Sequence, residues 1–492
     1  MTKLKFAIIF ILSVSSIIKS CSEENPLYEL RGIWVSRFEY TASGKVHDPD
    51  SIKRFISSIF QNAKISNFNT IFFQVRGNAD AFYKSKYEPW SELLTGKLGK
   101  EPGWDPLQYA IDETKKLGLE LHAWINVFPA WRGRGKIQKT NPPHPLQKHP
   151  QWLVCDRSGK PMRKNNGYIS FSPGIPYVHD HILKVIDDII TNYDVDGIHF
   201  DYIRYPDGAD KTGYSHDPIS VKRYQSEQNN PLGLKWDDWQ REQITIFISR
   251  AYNLIKSKKP WIKVSAAVIG NYKNTNWNAY HSVYQDPARW ARIGKIDFII
   301  PMMYFNTSRF KEAIMEYKEI VPVTTPIIAG IGLYRINPID GIKQIKIARK
   351  NRLHGISIFA SSYMKGLWQI YKKNCFQYPA LTPKIPNEDT FSQPPENFQI
   401  IQKGDTILFT WNHTKSNKNH MIKNYIIIYS KKKKIEKIKP ELIFAIVSGK
   451  TDSFLTNYKS TYNRKFFSIA TIDRFGNISQ MSDPIKFKYE NK

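Results

Sequence analysis

Two hydrophobic patterns alternate along the chain between residue 31 and about residue 365. Short β-branched or aromatic runs lead into polar loops, and these lead into stretches with the apolar spacing of amphipathic helices. Eight repeats of this unit predict an α/β fold that closes into a (β/α)8 barrel. The predicted strands are residues 31–36, 69–76, 119–126, 195–201, 262–269, 296–304, 326–332 and 353–360.

Helical periodicity is clearest in two of the intervening segments. One begins at Asp48-Pro49, which reads as an N-cap and first turn, and another covers residues 178–190. The first helix has one apolar face, formed by Ile52, Phe55, Ile56, Ile59, Phe60 and Ala63. A doubly wound open sheet is the alternative fold, but no glycine-rich phosphate loop follows the first strand, as such a fold would require.

The pattern changes after the barrel. A proline-rich stretch predicts a linker over residues 376–395, between a barrel domain at 28–375 and a last domain at 396–490. Short strands without helices follow, and they predict a β-sandwich. The segment Phe467–Ser479, together with Trp411, resembles a fibronectin type III domain.

The N-terminus reads as a targeting segment. Lys3 and Lys5 precede an apolar run at residues 6–18, which is too short to span a bilayer and is typical of a signal peptide. Ser20-Cys21 ends the run, so we expect a lipoprotein signal at 1–21 and lipid attachment at Cys21. The predicted location is the bacterial cell envelope, anchored to a membrane by lipid. A plain secretory signal is the alternative.

Composition narrows the choice of partners. The 492 residues carry a formal net charge of +28, yet the basic residues are spread along the whole length and accompany no nucleic-acid-binding motif. We therefore expect no nucleic-acid partner.

Aromatic residues make up 14% of the chain, which is typical of surfaces that stack on flat ligands. Three cysteines form no disulfide framework, and Cys155 and Cys375 are expected to be free, buried thiols.

Reactive groups of a (β/α)8 barrel lie at the carboxyl ends of its strands. In the fourth predicted strand, period two turns Ile198 and Phe200 toward the helices and Gly197, His199 and Asp201 toward the barrel axis. Asp201 then lies at the rim, where an unpaired carboxylate indicates function. The alternative is a structural ion pair with Arg204.

Neighbouring strands add amides, imidazoles, a guanidinium and an indole to the same mouth, which suits a hydroxyl-rich substrate. Sugar binding is the simplest interpretation, although Trp124 is also a candidate for core packing and both histidines for the barrel interior. The candidate substrate-binding residues are Arg37, Gln74, Arg76, Asp80, His122, Trp124, Asn126, His199, Arg204 and Tyr304.

Five ordered blocks together resemble the glycosyl-hydrolase-like family 10. They are Arg31-Gly-Ile-Trp-Val-Ser36, Phe73-Gln-Val-Arg76, His122-Ala-Trp-Ile-Asn126, Asp196-Gly-Ile-His-Phe-Asp-Tyr-Ile-Arg-Tyr-Pro206 and Tyr284-Gln-Asp-Pro-Ala-Arg-Trp290. The resemblance covers roughly residues 28–375. It implies a barrel glycosidase, often an exported lipoprotein, with some members linked to peptidoglycan glycan strands. One departure is Met302, where a glutamine is common after the proline.

Glycoside hydrolysis normally uses two carboxyl groups, a proton donor and a nucleophile or base. Asp201 is the nucleophile candidate. Glu39 and Asp286 are close rivals for the acid, while Asp80 is assigned to holding substrate or Arg76. Asp286 precedes Pro287, so a helix N-cap is its alternative role, and Glu39 has the alternative of a solvated loop.

The sequence favours no metal and no cofactor. Its one His-x-His pair, His179 and His181, lies at the start of an amphipathic helix, where the two side chains diverge. The predicted function is an exported, metal-independent glycoside hydrolase that acts on a polysaccharide. The alternatives are a catalytically silent glycan-binding lipoprotein and a wall-anchoring protein. The oligomeric state stays open.

Overall fold

A computed structural model describes residues 25–133, 135–164, 167–386, 393–413, 422–433, 435, 437–457 and 465–487. Its first domain contains ten strands within the described residues. They are β1 (Leu30–Val35), β2 (Thr70–Arg76), β3 (Glu120–Asn126), β4 (Pro129–Arg132), β5 (Tyr168–Ser170), β6 (Gly197–Asp201), β7 (Lys263–Ile269), β8 (Phe298–Met302), β9 (Ile328–Gly332) and β10 (Gly355–Phe359). Strands β4 and β5 form a separate antiparallel pair, and the other eight close a parallel barrel in the order β1-β10-β9-β8-β7-β6-β3-β2.

The barrel confirms the predicted fold class, and no end of a predicted strand is more than two residues from the observed one. Helices connect the strands on the outside, as period 3.6 in the intervening segments requires. They are α1 (Arg37–Tyr40), α2 (Pro49–Ile65), α3 (Glu92–Thr95), α4 (Pro106–Leu117), α5 (Pro145–Lys148), α6 (Pro176–Asn192), α7 (Ala209–Thr212), α8 (Pro218–Tyr224), α9 (Trp236–Lys258), α10 (Ala279–Ser282), α11 (Pro287–Arg292), α12 (Thr307–Ile320), α13 (Pro338–Lys350) and α14 (Trp368–Asn374).

Local sequence sets these boundaries. Helix α2 begins as predicted, because the Asp48 carboxylate accepts a hydrogen bond from the Ser51 amide at 2.8 Å and Pro49 occupies the first turn. The outward residues of β6, Ile198 and Phe200, are fully buried between strands and helices. The barrel interior has its own apolar cluster, which includes Trp34, Phe72, Trp124, Phe298 and Ile300.

The C-terminal domain contains seven strands within the described residues: β11 (Glu396–Lys403), β12 (Thr406–Asn412), β13 (Ile422–Ser430), β14 (Ile443–Ser448), β15 (Ser453–Asn457), β16 (Phe466–Asp473) and β17 (Ile485–Lys486). They form two antiparallel sheets, ordered β11-β12-β15 and β14-β13-β16-β17. Aromatic and aliphatic side chains, among them Phe409, Ile427 and Phe467, fill the space between the sheets. The all-β prediction is confirmed, while the fibronectin type III identity stays a prediction.

This domain packs against the end of the barrel where the strands begin. Lys423 donates to Glu120, the first residue of β3, at 2.6 Å, and its ammonium lies 3.2 Å from Asp196. Arg474 forms two hydrogen bonds with Asp194, at 2.6 and 2.7 Å. The contacts cover the base of the barrel and leave the opposite end, where the strands finish, as the open mouth.

Several predictions concern the N-terminus and the linker. The predicted signal peptide with Cys21 lies outside the described residues, as does the linker segment 387–392. Within the described chain, no helix has both the length and the apolar character needed to cross a bilayer. Cys155 and Cys375 are free and buried, as expected.

Candidate active site

A cavity of about 260 Å³ opens at the carboxyl ends of the barrel strands. Most of its lining is aromatic: Trp34, Phe38, Trp124, Tyr168, Tyr202, Tyr304, Tyr334 and Phe359. Its polar lining consists of Ser36, Gln74, Asn126, Asp201 and Arg204. Among the described residues, Asp201 is the one carboxylate that lines this cavity. An aromatic cleft with few, convergent polar groups is typical of a site for a small or extended ligand.

Asp201 ends strand β6 and is 7% exposed. Its carboxylate accepts a hydrogen bond from the Tyr202 amide at 2.6 Å. Burial raises the pKa of Asp201, while the Arg204 charge, the Tyr202 amide and the Trp124 indole N–H oppose that rise without cancelling it. The result is a carboxyl group that holds its proton to a higher pH than an ordinary aspartate does.

The backbone next to Asp201 is strained. Tyr202 has φ of 50°, which is in the left-handed region that a non-glycine residue rarely adopts. Such strain persists only where the surrounding structure imposes it, and it concentrates at functional sites. Here the turn brings the Tyr202 amide onto the Asp201 carboxylate.

A chain of amides and an indole fixes the cavity wall on β2 and β3. The Gln74 side chain accepts from the Arg37 amide at 3.2 Å and donates to Asn126 Oδ1 at 3.1 Å. The Trp124 indole donates to the same oxygen at 3.1 Å. These bonds orient the amides of Gln74 and Asn126, both of which line the cavity, and their contact with substrate stays a prediction.

Arg76 and Asp80 lie apart from the cavity lining. Arg76 is fully buried and binds Glu88 through two hydrogen bonds, at 2.8 and 2.7 Å, and donates to the Asn126 and Val127 carbonyl oxygens. Asp80 accepts from the Asn78 amide at 2.8 Å and does not pair with Arg76. The true partner of Arg76 is Glu88, a loop residue that sequence reasoning missed.

The environment of Glu88 explains its ionisation. Burial raises its pKa, but Arg76 and His181 outweigh burial and lower the pKa of Glu88 to about 2. The His181 imidazole lies 2.9 Å from the carboxylate. This charged cluster supports the backbone of Asn126, so it positions the cavity wall from behind.

His122 and His199 point into the barrel, as predicted, but neither lines the cavity. Trp34 donates to His199 Nε2 at 3.1 Å, and Nδ1 lies 2.9 Å from the Ser265 hydroxyl. Burial holds the pKa of His199 well below its ordinary value, so the ring is neutral and Nδ1 carries the proton. His122 lies 3.2 Å from Glu120, near the base of the barrel. Both imidazoles fill the interior.

The two candidate acids are engaged elsewhere. Glu39 accepts from the Ser36 amide at 2.7 Å, which completes a capping box at the start of α1, and from Ser361 and Ser362 at 2.8 and 2.6 Å. Asp286 is the N-cap of α11 and accepts from the Arg289 amide at 3.0 Å. Neither lines the cavity.

Tyr304 and Arg204 line the cavity, whereas Arg37 is buried and is not part of the lining. Burial, and to a smaller extent the Asp201 charge, raise the pKa of Tyr304 well above its usual range, so its hydroxyl remains a donor. The Arg37 guanidinium donates to the Tyr168 hydroxyl at 2.8 Å, and the Arg204 guanidinium lies 3.9 Å from Asp201. Sequence reasoning missed Tyr168 and other lining aromatics, because no regular pattern marks residues on loops and on the β4–β5 insertion.

Comparisons with known proteins agree with this geometry. The family model described as Glycosyl hydrolase-like 10 matches residues 29–345. The chain belongs to this family. Glycosyl hydrolase YngK of Bacillus subtilis is 25% identical over 509 residues, which span 96% of this chain and 95% of YngK. Glycosyl hydrolase DigH of Escherichia coli K12 is 28% identical over 343 residues, spanning 62% of this chain and 74% of DigH.

The solved glycoside hydrolase domain of PgaB (BpsB) from Bordetella bronchiseptica has the same fold, with a TM-score of 0.53 and 12% identity over 70% of this chain and 98% of that domain. The family membership confirms the resemblance read from the five sequence blocks. Met302, the departure from the common pattern of glycosyl hydrolase-like family 10, lines the cavity at the end of β8. A thioether there contributes an apolar contact in place of an amide.

No group of three or more His, Cys, Asp or Glu side chains in the described part of the chain is arranged to hold a metal ion. The mouth presents one carboxyl group, two oriented amides, tyrosine hydroxyls and an arginine. These groups suit proton transfer to an oxygen of a bound sugar.

Proposed function

We propose that the protein hydrolyses glycosidic bonds of a polysaccharide and that Asp201 is the proton donor. The observation that carries this proposal is the buried, protonatable carboxyl group of Asp201 in the cavity at the barrel mouth. A raised pKa suits an acid that must give a proton to the leaving oxygen near neutral pH. The role differs from the nucleophile that the sequence favoured, because burial raises the pKa of Asp201 and so favours its protonated form.

A second carboxylate is absent from the described lining, so the nucleophile must come from another source. Some glycosidases use the carbonyl oxygen of the substrate's own 2-acetamido group. We infer the same substrate-assisted mechanism here. Asp201 protonates the glycosidic oxygen, the acetamido oxygen attacks the anomeric carbon, and the bond to the leaving sugar breaks. Water then opens the cyclic intermediate while the Asp201 carboxylate accepts its proton, and the configuration at the anomeric carbon is retained.

Aromatic side chains provide the platform for the sugar. The Tyr304 and Phe359 rings stack with centroids 5.6 Å apart, and Tyr334 meets Tyr304 edge-on at 5.7 Å. Tyr334 is 44% exposed, so this surface continues from the cavity to solvent. Flat apolar surfaces of this kind bind the C–H faces of pyranose rings, while Asn126 and Gln74 offer amides to hydroxyl or acetamido groups.

The proposed substrate class includes peptidoglycan glycan strands, because these carry 2-acetamido groups. The signal-like segment 1–21 with Cys21 supports export and lipid anchoring, which would place the enzyme in the cell envelope with such a polymer. The relatives named above are described as glycosyl hydrolases, and this supports the reaction type.

A catalytically silent glycan-binding protein is the second candidate function. The single cavity carboxylate favours it, since a two-carboxylate mechanism has no second group within the described lining. The two candidates differ in one measurable product, the new reducing end.

The test uses purified protein with peptidoglycan, with and without stem peptides, and with a panel of other polysaccharides. We expect new reducing ends only from 2-acetamido glycans, retention of anomeric configuration by NMR, and inhibition by a thiazoline analogue of the cyclic intermediate. Asp201→Asn should abolish release. The matched control is Asp180→Asn, on the outer helix α6, where the carboxylate forms a half-exposed pair with Arg250. Binding without any release of reducing ends would refute the enzyme and support the silent binder.

A further inference from the structure

The loop between β13 and β14 carries a dense group of exposed lysines. Residues 431–441 contain six lysines against two glutamates. None of the five lysines within the described residues forms an ion pair with a described carboxylate. Like charges gathered in this way repel one another, and an anionic partner relieves the repulsion. We call these five exposed side chains the lysine surface: Lys431, Lys432, Lys433, Lys437 and Lys439.

Two isoleucines hold this loop against the body of the protein. Ile435 and Ile438 are half-buried and pack on an apolar cluster that includes Ile428 of β13 and Ile443 of β14. The apolar side chains of the loop therefore turn inward, and its lysine side chains stay in solvent.

The N-terminal segment joins the protein at the same apolar cluster. Leu27 and Tyr28 both pack on it. The Leu27 carbonyl oxygen accepts a hydrogen bond from the Leu381 amide at 2.8 Å, which ties this segment to the chain that leaves the barrel. Exposed Lys384 adds a further positive charge here, with its ammonium 5.6 Å from the Tyr28 ring centroid. The lysine surface and the N-terminal segment therefore share one region of the molecule.

This region lies at the base of the barrel, because Leu27 and Tyr28 lead directly into the start of β1 at Leu30. An extended chain covers at most about 3.6 Å per residue, so a lipid on Cys21 would lie within about 22 Å of Leu27. A membrane that holds such a lipid would face the base and the lysine surface. The cavity opens at the opposite end.

We propose that the lysine surface binds anionic lipid headgroups of the membrane to which Cys21 is attached, so that the mouth of the barrel faces away from the bilayer. Basic residues close to an anionic leaflet are attracted to it, and one lipid anchor with a polybasic segment is a recognised pair of membrane-binding signals. The orientation requires the proposed lipid attachment at Cys21. Neither the lysine surface nor its test requires the proposed reaction.

The first experiment measures binding to vesicles without the contribution of a lipid anchor. The protein is residues 22–492, which include every described residue. The vesicles consist of phosphatidylcholine alone or of an equimolar mixture with phosphatidylglycerol. We expect binding to the mixed vesicles only, and weaker binding as salt is added. Replacing all five residues of the lysine surface by glutamine should weaken binding by at least roughly 100-fold, because each lysine near an anionic membrane contributes about fivefold.

A matched variant loses the same charge from segments at the mouth end, which follow β2 and β4. It should bind the mixed vesicles nearly as well as wild type does. Equal weakening in the two variants, or no binding of wild type to the mixed vesicles, would overturn the inference. Tighter binding to soluble polyglutamate than to the mixed vesicles would also overturn it, in favour of an anionic polymer. The five lysines that the matched variant replaces by glutamine are Lys97, Lys100, Lys136, Lys139 and Lys148.

The second experiment tests orientation with the full chain, processed in the membrane and reconstituted into the mixed vesicles. A thiol-reactive fluorophore is attached to Lys433→Cys or Lys139→Cys protein, and a quencher is carried on lipid headgroups. Cys155 and Cys375 are buried, so the introduced thiol is the one that reacts. We expect strong quenching at residue 433 and little at residue 139. Equal quenching at the two positions, or stronger quenching at residue 139, would overturn the proposed orientation.

Discussion

Replacing Asp201 by asparagine should make the protein inactive and, at neutral pH, more stable. Asparagine has nearly the same shape, and its side-chain oxygen can accept the hydrogen bond that the Tyr202 amide gives at 2.6 Å. It cannot donate a proton to a leaving oxygen. General acid catalysis contributes roughly 10²- to 10⁴-fold, so the variant should lose about 3 to 5 kcal/mol of transition-state stabilisation.

The effect on stability follows from the direction in which burial moves the pKa of Asp201. Because the folded pKa is raised above the unfolded value, protonated Asp201 contributes stability that is fully present below the unfolded pKa. That contribution is lost as pH rises through the folded pKa. Each unit between the two pKa values corresponds to about 1.4 kcal/mol. Asparagine is neutral at every pH and keeps the contribution.

The assay is urea unfolding followed by tryptophan fluorescence at acidic and neutral pH, with reducing-end release measured on the same preparations. We expect wild type and Asp201→Asn to unfold at similar urea concentrations at acidic pH and the variant to unfold later at neutral pH. Activity of the wild type should fall as pH rises past the raised pKa. A variant less stable than wild type at neutral pH, or one that retains full turnover, would refute the reasoning.

Three further substitutions test the structure around the site. Glu88→Gln should lower the free energy of unfolding by about 3 kcal/mol at neutral pH. The pKa of Glu88 is lowered to about 2 in the folded protein, so its carboxylate stabilises the fold above the ordinary carboxyl pKa. In urea unfolding, the midpoints of the variant and the wild type should converge as pH falls toward 2. Gly197→Ala should lower stability by about 1 to 3 kcal/mol, since its Cβ would meet His122 Nδ1 at 2.2 Å, and thermal unfolding measures this. Lys423→Met should weaken the contact of the C-terminal domain with Glu120 by about 1 to 3 kcal/mol. Proteolysis between the two domains should then be faster. An unchanged rate of proteolysis would contradict this prediction.

The direction of each inward side chain could be predicted from the sequence, but its depth in the barrel could not. Period two turned both His199 and Asp201 toward the axis, and both point there. Two residues along a strand correspond to about 6.6 Å, so His199 lies one layer below Asp201 and contacts Trp34 and Ser265 instead of the cavity. A pattern of alternation alone contains no information on which layer meets solvent.

Structural roles that depend on residues close together in the sequence could be predicted in part. Asp286 followed by Pro287 has the signature of a helix start, and this alternative role was read from the sequence. Ser36 and Glu39 have the spacing of a capping box, but the alternative given for Glu39 was a solvated loop, which was wrong. The ion-pair partner of Arg76 could not be predicted in this way. Glu88 lies twelve residues further along the chain in a loop, and only tertiary folding brings it to Arg76.

Buried charged side chains have different surroundings at the two ends of the barrel. At the base, Glu120 receives Lys263 at 2.8 Å and Lys423 at 2.6 Å, so the C-terminal domain completes a paired cluster. At the mouth, Nε and Nη1 of Arg204 are buried without a hydrogen bond, the nearest carboxylate oxygens lie 3.9 Å from its guanidinium, and Asp201 has a raised pKa. Since a buried charge without hydrogen bonds costs stability, a fold retains it where ligand binding can offset that cost. The contrast argues that the mouth acts on ligand while the C-terminal domain stabilises the opposite end.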